Sequence, residues 1–181
     1  MDDVNTQTAV ITGGTSGIGY YSAMGLARSG FRVIITGRDP KRGKAAEENL
    51  IHETKQSAIK FIRGDISSIA AIDTLSEAVL QQTTKIDVLV NNAGYFGDVF
   101  EKTDDDLEKH FAINVLAPYR LTHNLLSALG ASDQGRVINV TGGDKPAPVD
   151  PDDLQAEKGF KGLMTYKHSK SILESVSIVL A

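Results

Sequence analysis

The feature that most constrains the fold is a glycine-spaced turn that follows a short apolar strand near the N-terminus. Residues 8–12 read Thr-Ala-Val-Ile-Thr, and Gly13, Gly17 and Gly19 follow in the spacing Gly-x-x-x-Gly-x-Gly. Glycine permits a tight turn and a close backbone approach, and the free N–H groups at a helix start attract an anion. A strand, a glycine turn and a helix in this order predict a site for the diphosphate of a dinucleotide.

The alternative is a purely structural turn between a strand and a helix. The placement of the glycines directly after the strand and at the start of an apolar-periodic segment favours the binding site. The residues of the turn that we expect to contact a dinucleotide are Gly13, Thr15, Ser16, Gly17, Ile18 and Gly19.

Composition excludes several classes of protein. The 181 residues are enough for one domain with a substantial core, and the net charge of −4 gives no electrostatic argument for a nucleic-acid or anionic-membrane partner. The chain has no cysteine, and its four histidines lack metal-ligand spacing, so we expect no disulfide and no metal site. The acidic N-terminus lacks the pattern of a signal peptide, so we expect none, and no apolar run approaches the roughly 20 residues of a membrane span. We therefore expect a cytoplasmic protein without a membrane span.

Apolar strand-like runs alternate with helical stretches along the chain. The expected strands are 9–11, 32–35, 58–62, 86–90 and 136–140, and the expected helices are 17–29, 40–55, 68–83, 104–129 and 166–181. This alternation predicts an α/β fold in which a doubly wound parallel sheet has helices on both faces, in three layers. We expect one dinucleotide-binding domain over residues 1–181, with the last strand at an uncovered edge and a long loop over 142–165.

The end of the second strand bears on the choice of nicotinamide cofactor. It reads Thr36-Gly37-Arg38, with Lys41 and Arg42 close behind. In such folds an acidic residue here accepts from the ribose 2′-hydroxyl of NAD, whereas arginine accommodates the 2′-phosphate of NADP. Asp39 follows at once, but no acidic side chain occupies the strand tip. We therefore expect NADP rather than NAD, bound through Arg38; the alternative is a group of solvated charges at a helix start.

The ends of the third and fourth strands carry further candidate contacts. Asp65 and Ile66 follow the third strand, and the Asp65 carboxylate could accept from an adenine amino group. Alternatively, Asp65 or Ser67 caps the next helix. After the fourth strand comes Asn91-Asn92-Ala93-Gly94, which in isolation most often forms only a turn but allows a close backbone approach. The cofactor contacts that we expect there are Asn91, Ala93 and Gly94.

Tyr166 and Lys170 form the sharpest chemical pair. At i and i+4 on a helix they share one face. A lysine ammonium near a phenol favours the phenolate and lowers the phenol pKa, so that the tyrosine can act as general acid or base on an alcohol or carbonyl. Chance surface pairs of this spacing outnumber catalytic ones, and the pair gains weight because it lies downstream of a dinucleotide-binding turn.

Together these motifs resemble the short-chain dehydrogenase/reductase family in order and spacing. The matching residues are Thr12-Gly13-x-x-x-Gly17-Ile18-Gly19, Asn91-Asn92-Ala93-Gly94, Asn114 in Phe111-Ala112-Ile113-Asn114-Val115, and Tyr166-Lys-His-Ser-Lys170. The stretch from Asp153 to Lys170 is similar to the retinol-dehydrogenase-like branch. The resemblance implies a Rossmann-type fold and hydride transfer between NADP(H) and an alcohol or carbonyl substrate.

The resemblance also implies roles for individual residues. Tyr166 is expected to donate or accept the proton, Lys170 to lower the pKa of that tyrosine and bind the nicotinamide ribose, and Asn114 to hold a water in a proton relay. The helix that we expect over 104–129 and the last helix correspond to helices that often pair across a dimer interface in the family, so we expect a homodimer. Asp104, Asp105 and Asp106 are expected to begin the first of these helices.

The sequence departs from the family pattern in two places. Aligned without gaps on the fifth strand, the position of the family's catalytic serine falls on Gly142, and Thr141, one residue earlier, is the candidate substitute. Family members also continue past the last helix with two more strands and a substrate-binding segment, so we expect this sequence to lack the last strands of the fold. A catalytically impaired, nucleotide-binding regulatory or scaffold protein is therefore the alternative function.

Overall fold

The five strands form one parallel sheet in the order β3-β2-β1-β4-β5. The structure is a computed structural model and describes residues 6–142 and 147–180. The strands are β1 (Thr8–Ile11), β2 (Arg32–Gly37), β3 (Ile59–Arg63), β4 (Val88–Asn91) and β5 (Arg136–Asn139). From β1 the chain first adds β2 and β3 on one side of the sheet and then β4 and β5 on the other side. The switch point of this doubly wound fold therefore lies between β1 and β4.

Side chains alternate between two cores along the strands. Val10 of β1 lies beside Ile34 of β2 and Leu89 of β4 in register, and these three belong to the core under the third and fifth helices of the chain. Ile11 and Ile35, also paired, face the opposite core under the first two helices. All five are fully buried, as expected for a parallel sheet covered on both faces. The expected three-layer α/β arrangement is confirmed.

Seven α-helices and one π-helical segment lie within the described residues. They are α1 (Gly17–Arg28), α2 (Pro40–Thr54), α3 (Ile69–Leu80), α4 (Lys109–Phe111), the π segment (Ala112–Leu116), α5 (Ala117–Asn124), α6 (Leu126–Gly130) and α7 (Gly162–Leu180). α3 is capped by Ser68, whose Oγ accepts from the Ala71 N–H. Asp65 instead accepts from the N–H groups of Ile66 and Ser67 in the preceding turn, so neither suggested cap is used.

The helical region after β4 differs most from expectation. Asp106 has a φ of +60° and lies in a turn, so the expected helix start at Asp104–Asp106 is wrong. The helix begins instead at Lys109, because Glu108 accepts from the N–H groups of His110 and Phe111 at 3.0 and 2.9 Å. The expected single helix is also divided by the π segment and by a break at Leu125.

β5 forms one edge of the sheet, as expected. Val137 and Ile138 are 39% and 48% exposed there. α7 begins at Gly162, four residues before the expected start.

Three parts of the expected fold lie outside the described residues: 1–5 of the expected domain, 143–146 of the expected loop and Ala181 of the expected last helix. Among residues 6–142 and 147–180, no helix combines the length and apolar character that a bilayer span requires.

Candidate active site

A cavity of about 550 Å³ lies at the carboxyl ends of β1 to β4. This is the edge of an open parallel sheet at which ligands bind, beside the switch point. Its volume falls within the range of small-molecule sites. The lining residues come from four strand ends with the turns after them, from α2 and from the π segment: Gly13, Thr15, Ser16, Thr36, Gly37, Arg38, Asp39, Arg42, Gly64, Asp65, Ile66, Asn92, Ala93, Gly94, Tyr95 and Ile113.

The glycine turn has the backbone that its spacing predicts. Gly13 and Gly17 have φ values of +64° and +54°, where a side chain would be strained. A Cβ at Gly19 would lie 2.4 Å from the Gly13 carbonyl oxygen and 2.4 Å from Asn92 Nδ2, so only glycine fits there. Ser16 makes no side-chain cap to α1, which leaves the N–H groups of that helix start available to an anion at the cavity.

Thr12 joins the glycine turn to the turn after β4. Its Oγ1 accepts from the N–H groups of Asn92 and Ala93, both at 3.0 Å. In return, Asn92 Nδ2 donates to the carbonyl oxygens of Thr12 and Gly13 at 2.9 and 3.2 Å. The two turns that flank the switch point are therefore held as one unit.

Asn91 occupies a different place from the one expected for a cofactor contact. Its side chain is buried, and Nδ2 donates to Thr122 Oγ1 at 3.2 Å and to Asn139 Oδ1 at 2.8 Å. It does not line the cavity, whereas its neighbour Asn92 does. Asn91 thus ties β4 to β5 and α5, and the sequence alone could not distinguish the roles of two adjacent asparagines.

Basic side chains border the cavity beyond β2. Arg38 and Arg42 both line it and are exposed. Asp39 also lines it, but its Oδ1 accepts from the N–H groups of Lys41 and Arg42 at 2.8 and 3.1 Å as the cap of α2. The acidic side chain at this end is thus engaged in capping, while two guanidinium groups remain beside the cavity.

Asn114 connects the cavity to α7. Its Oδ1 accepts from the Tyr95 N–H at 2.7 Å, and its Nδ2 donates to the Tyr95 carbonyl oxygen at 2.9 Å and to Ser169 Oγ at 3.0 Å. Ser169 Oγ donates to the Tyr166 carbonyl oxygen at 2.7 Å. The fully buried Asn114 amide therefore positions both the turn after β4 and the helix that carries Tyr166.

The structure places Lys170 beside Gly94, which lines the cavity, and Tyr166 beside Lys170. A Cβ added at Gly94 would lie 3.3 Å from Asn114 Oδ1 and 3.5 Å from Lys170 Nζ. Lys170 is buried, its Nζ donates to the Val140 carbonyl oxygen at 2.9 Å, and it lies 5.9 Å from the centre of the Tyr166 ring. Burial lowers the pKa of Lys170 from its usual value, because it penalises the charged form.

Gly142 lies at the hydroxyl of Tyr166. A Cβ at Gly142 would be 3.2 Å from Tyr166 Oη, so the position that the gap-free alignment assigns to the family serine lies beside this hydroxyl. Thr141 is half-buried. The substitute role of Thr141 stays a prediction.

The cavity also includes residues that the sequence did not single out. Tyr95 and Ile113 line it, and so do Thr36, Gly37 and Gly64 at the strand ends. The strand ends could have been found from the rule that ligands bind at the carboxyl edge of the sheet. Gly17, Ile18 and Gly19 follow Ser16, the last residue of this turn that lines the cavity, and the side chain of Ile18 is 69% exposed.

Comparison with known proteins agrees with this geometry. The family model described as short chain dehydrogenase matches residues 7–149. The chain belongs to the short-chain dehydrogenase family. The retinol-dehydrogenase-like resemblance is also confirmed, because retinol dehydrogenase 12 of Mus musculus is 35% identical over 165 residues, covering 91% of this chain and 52% of that protein.

Other members of the short-chain dehydrogenase family are also similar to this chain in sequence and fold. Polyprenol dehydrogenase of Homo sapiens is 33% identical and covers 92% of this chain and 52% of that protein. A metagenomic short-chain oxidoreductase in complex with NADP superposes with a TM-score of 0.78 at 28% identity, covering 97% of this chain and 75% of its own. The RhlG/NADP complex of Pseudomonas aeruginosa superposes with a TM-score of 0.76 at 28% identity, covering 97% and 66%. The chain thus spans about half the length of the curated relatives that it matches.

Proposed function

We propose that this chain is an oxidoreductase that transfers a hydride between NADP(H) and an alcohol or carbonyl substrate. One observation carries the proposal: a cavity bordered by the glycine turn ends at Gly94, where Lys170 and the helix bearing Tyr166 meet it. Two solved relatives in complex with NADP share this fold. The nicotinamide cofactor, when bound, supplies the hydride chemistry.

The described residues fit such a cofactor. The uncapped start of α1 and the turn at Gly13 offer N–H groups to a diphosphate, and Asp65 lies at the cavity wall where an adenine amino group would need an acceptor. Arg38 and Arg42 offer guanidinium groups to a 2′-phosphate, while Asp39 is engaged as a helix cap. These features support a preference for NADP over NAD.

Tyr166 is the proposed general acid and base. Its hydroxyl faces Gly142 at the site where the turn after β5 meets α7. The Lys170 ammonium beside it stabilises negative charge on the phenol oxygen and is positioned by the Val140 carbonyl. The hydrogen bonds of Asn114 hold Tyr95 of the cavity wall and Ser169 of α7 together. We propose that Asn114 also orders the water through which the proton exchanges with solvent.

The substrate is proposed to be apolar. Phe96 packs edge-on against Tyr166, with ring centres 5.6 Å apart, and Leu163 and Met164 lie on the first turn of the same helix. These three side chains are 52%, 56% and 51% exposed. Exposed apolar side chains against Tyr166 and on the helical turn before it suit an alcohol or aldehyde with a hydrocarbon chain.

Cofactor titration and turnover test this function together. We expect NADPH to bind more tightly than NADH, as measured by fluorescence titration, and decanal to be reduced at the expense of NADPH. Tyr166→Phe removes only the hydroxyl and should abolish turnover while leaving NADPH affinity within about twofold. A chain that is folded by amide NMR and binds neither nucleotide would contradict the proposal.

A second candidate is a nucleotide-dependent regulatory protein that retains the cofactor cleft. The observation that favours it is Gly142, which offers no hydroxyl at the Tyr166 oxygen. Losing one preorganised donor costs on the order of 100-fold in rate. NADPH binding without turnover of decanal, in the wild type and in variants that restore the hydroxyl, would favour this candidate.

We further propose that the protein is a homodimer. Tyr119 and Leu126 are 45% and 54% exposed around α5 and α6, and Ile178 and Val179 of α7 are 78% and 84% exposed. Exposed apolar side chains on neighbouring helices support burial against a second copy. Sedimentation equilibrium of the purified chain should give twice the monomer mass, and a monomer at micromolar concentration would contradict the proposal.

A further inference from the structure

Glu108 and His110 form a buried polar pair that the proposed chemistry does not use. The two side chains are 1% and 0% exposed, and His110 Nδ1 lies 2.7 Å from Glu108 Oε1. Burying two ionisable groups is costly unless every polar atom finds a partner. The buried pair lies beside the candidate site, where its hydrogen bonds can hold neighbouring segments in position.

The hydrogen bonds define the tautomer of His110. The Gly97 N–H donates to His110 Nε2 at 3.2 Å, so this nitrogen must carry a lone pair. The proton of the neutral ring is therefore on Nδ1, where it is donated to Glu108 Oε1. Glu108 is itself fixed by the N–H groups of His110 and Phe111. Burial raises the pKa of Glu108, but hydrogen bonds from the His110 side chain and from these N–H groups outweigh it and lower the pKa overall.

The bond to Gly97 anchors the turn that follows the cavity wall. Phe96 precedes Gly97 and packs edge-on against Tyr166 at 5.6 Å. The same turn contacts the start of α7, because a Cβ at Gly162 would lie 3.1 Å from the Gly97 carbonyl oxygen. The His110 ring lies 5.0 Å from the Tyr95 ring. The buried His110 thus lies behind the turn that a substrate would meet.

The pair also reaches the segment before α7. The Glu108 N–H donates to Gln155 Oε1 at 2.9 Å, and the His110 ring lies 5.7 Å from that of Phe160. Phe160 in turn packs edge-on against Phe100 at 5.6 Å. Two chain segments, 95–100 and 155–160, therefore converge on the buried pair of Glu108 and His110.

We propose that His110, oriented by Glu108, is a positioning residue that holds the Phe96–Gly97 turn as the substrate-facing wall beside Tyr166. Its action on substrate rests on the proposed function, whereas its hold on the turn does not. His110 contacts the cavity lining only through Tyr95 and touches neither the glycine turn nor the basic end, so its loss should weaken substrate binding more than NADPH binding. Loosening of a wall that binds substrate and transition state alike raises KM more than it lowers kcat.

Two substitutions separate the bonds that His110 makes. His110→Gln carries an oxygen near the Nε2 position and can still accept from Gly97, whereas His110→Asn can donate to Glu108 but falls short of Gly97. We expect His110→Asn to speed hydrogen exchange of the Gly97 amide by about tenfold or more. It should raise the KM for decanal by about tenfold with kcat within about threefold, since small displacements at a site have large effects. His110→Gln should largely restore both.

His52→Asn is the matched control, since His52 is exposed on α2. It should leave Gly97 exchange, the KM for decanal and the NADPH Kd unchanged. Equal protection of the Gly97 amide in wild type and His110→Asn would overturn the proposal. Faster exchange without a change in KM would overturn it as well.

The proposal stays testable if the wild type binds NADPH but reduces no decanal, an outcome that counts against the proposed oxidoreductase function alone. The readout is then the nuclear Overhauser contact between the Phe96 and Tyr166 rings. Loss of this contact in His110→Asn and its retention in His110→Gln would support the positioning role. An unchanged contact in both variants would overturn it.

Discussion

At the scale of single residues, Gly142 has the most direct bearing on chemistry. Its missing side chain would point at Tyr166 Oη, 3.2 Å from the added Cβ. Gly142→Ser should therefore place a hydroxyl within reach of the substrate oxygen and raise kcat for decanal by roughly tenfold to 100-fold. Gly142→Ala adds the same Cβ without the hydroxyl and is the matched control. Equal rates for the two variants would show that a hydroxyl at this place contributes nothing.

Arg38 is the residue on which the cofactor preference depends. It lines the cavity, whereas its neighbour Lys41 does not. Arg38→Gln removes a charge that would meet the 2′-phosphate, so the NADPH Kd should rise about tenfold or more while the NADH Kd stays nearly constant. Lys41→Gln removes the same charge nearby and should affect both nucleotides little. If Arg38→Gln weakened NADPH and NADH equally, discrimination would have to reside elsewhere.

At the scale of elements, the glycines of α1 differ sharply in what surrounds them. A Cβ at Gly19 would lie 2.4 Å from the Gly13 carbonyl, whereas one at Gly25 meets nothing within 4 Å. Gly19→Ala should lower the free energy of unfolding by roughly 1–3 kcal/mol, as overpacking does, and weaken NADPH binding. Gly25→Ala should raise that free energy by about 0.5–1 kcal/mol, because alanine favours a helix. Urea unfolding of both variants measures the difference, and equal effects would contradict the close approach.

The strands and most helices could be predicted from the sequence because local pattern and burial agree in them. Val10 and Ile11 belong to a continuous apolar run that suits a strand covered on both faces. In the region after β4, the local pattern does not agree with the structure. Its acidic run predicted a helix start through the helix dipole, but Asp106 adopts a positive φ and Glu108 provides the cap instead. A cap depends on which side chain folds back, and pattern alone does not specify that.

The candidate site was predictable to the extent that its residues stand in ordered motifs. Tyr166, Lys170 and Asn114 converge as the resemblance implied, and Gly142 meets Tyr166 where the alignment placed it. Asn92 and His110 were not predictable. Asn92 differs from its neighbour only in the direction of its side chain, and the partner of His110 is a backbone N–H thirteen residues away, which leaves no trace in residue spacing.

At the scale of the whole molecule, Asp87 joins distant parts of the sheet. It is 4% exposed and accepts from the Thr8 N–H and from Ser132 Oγ, both at 2.7 Å, with the Lys85 ammonium at 3.6 Å. Burial raises the pKa of Asp87, but the hydrogen bonds from Ser132 and Thr8 and the charge of Lys85 outweigh it and lower the pKa overall. One carboxylate thus links the starts of β1 and β4 to the segment before β5.

This lowered pKa implies acid sensitivity with a defined sign. Because the folded-state pKa lies below the unfolded value of about 3.9, Asp87 contributes its full stability above that value and loses it as pH falls through the folded-state pKa. Asp87→Asn should be less stable than wild type at pH 7 by about 1–3 kcal/mol, and this difference should shrink as the pH falls below the unfolded-state value. Urea unfolding across this pH range measures both. A stability difference that stayed constant with pH would contradict the assignment.

Hydride transfer from a bound nicotinamide, with Tyr166 as proton donor, is the central claim, and isotope transfer tests it most directly. The chain is incubated with decanal and NADPH deuterated at C4 of the nicotinamide, and the decanol formed is analysed by mass spectrometry. We expect deuterium on the carbinol carbon for the wild type, more product for Gly142→Ser, and none for Tyr166→Phe. A folded chain that binds NADPH yet yields no labelled alcohol in either the wild type or Gly142→Ser would contradict the claim and favour the regulatory alternative.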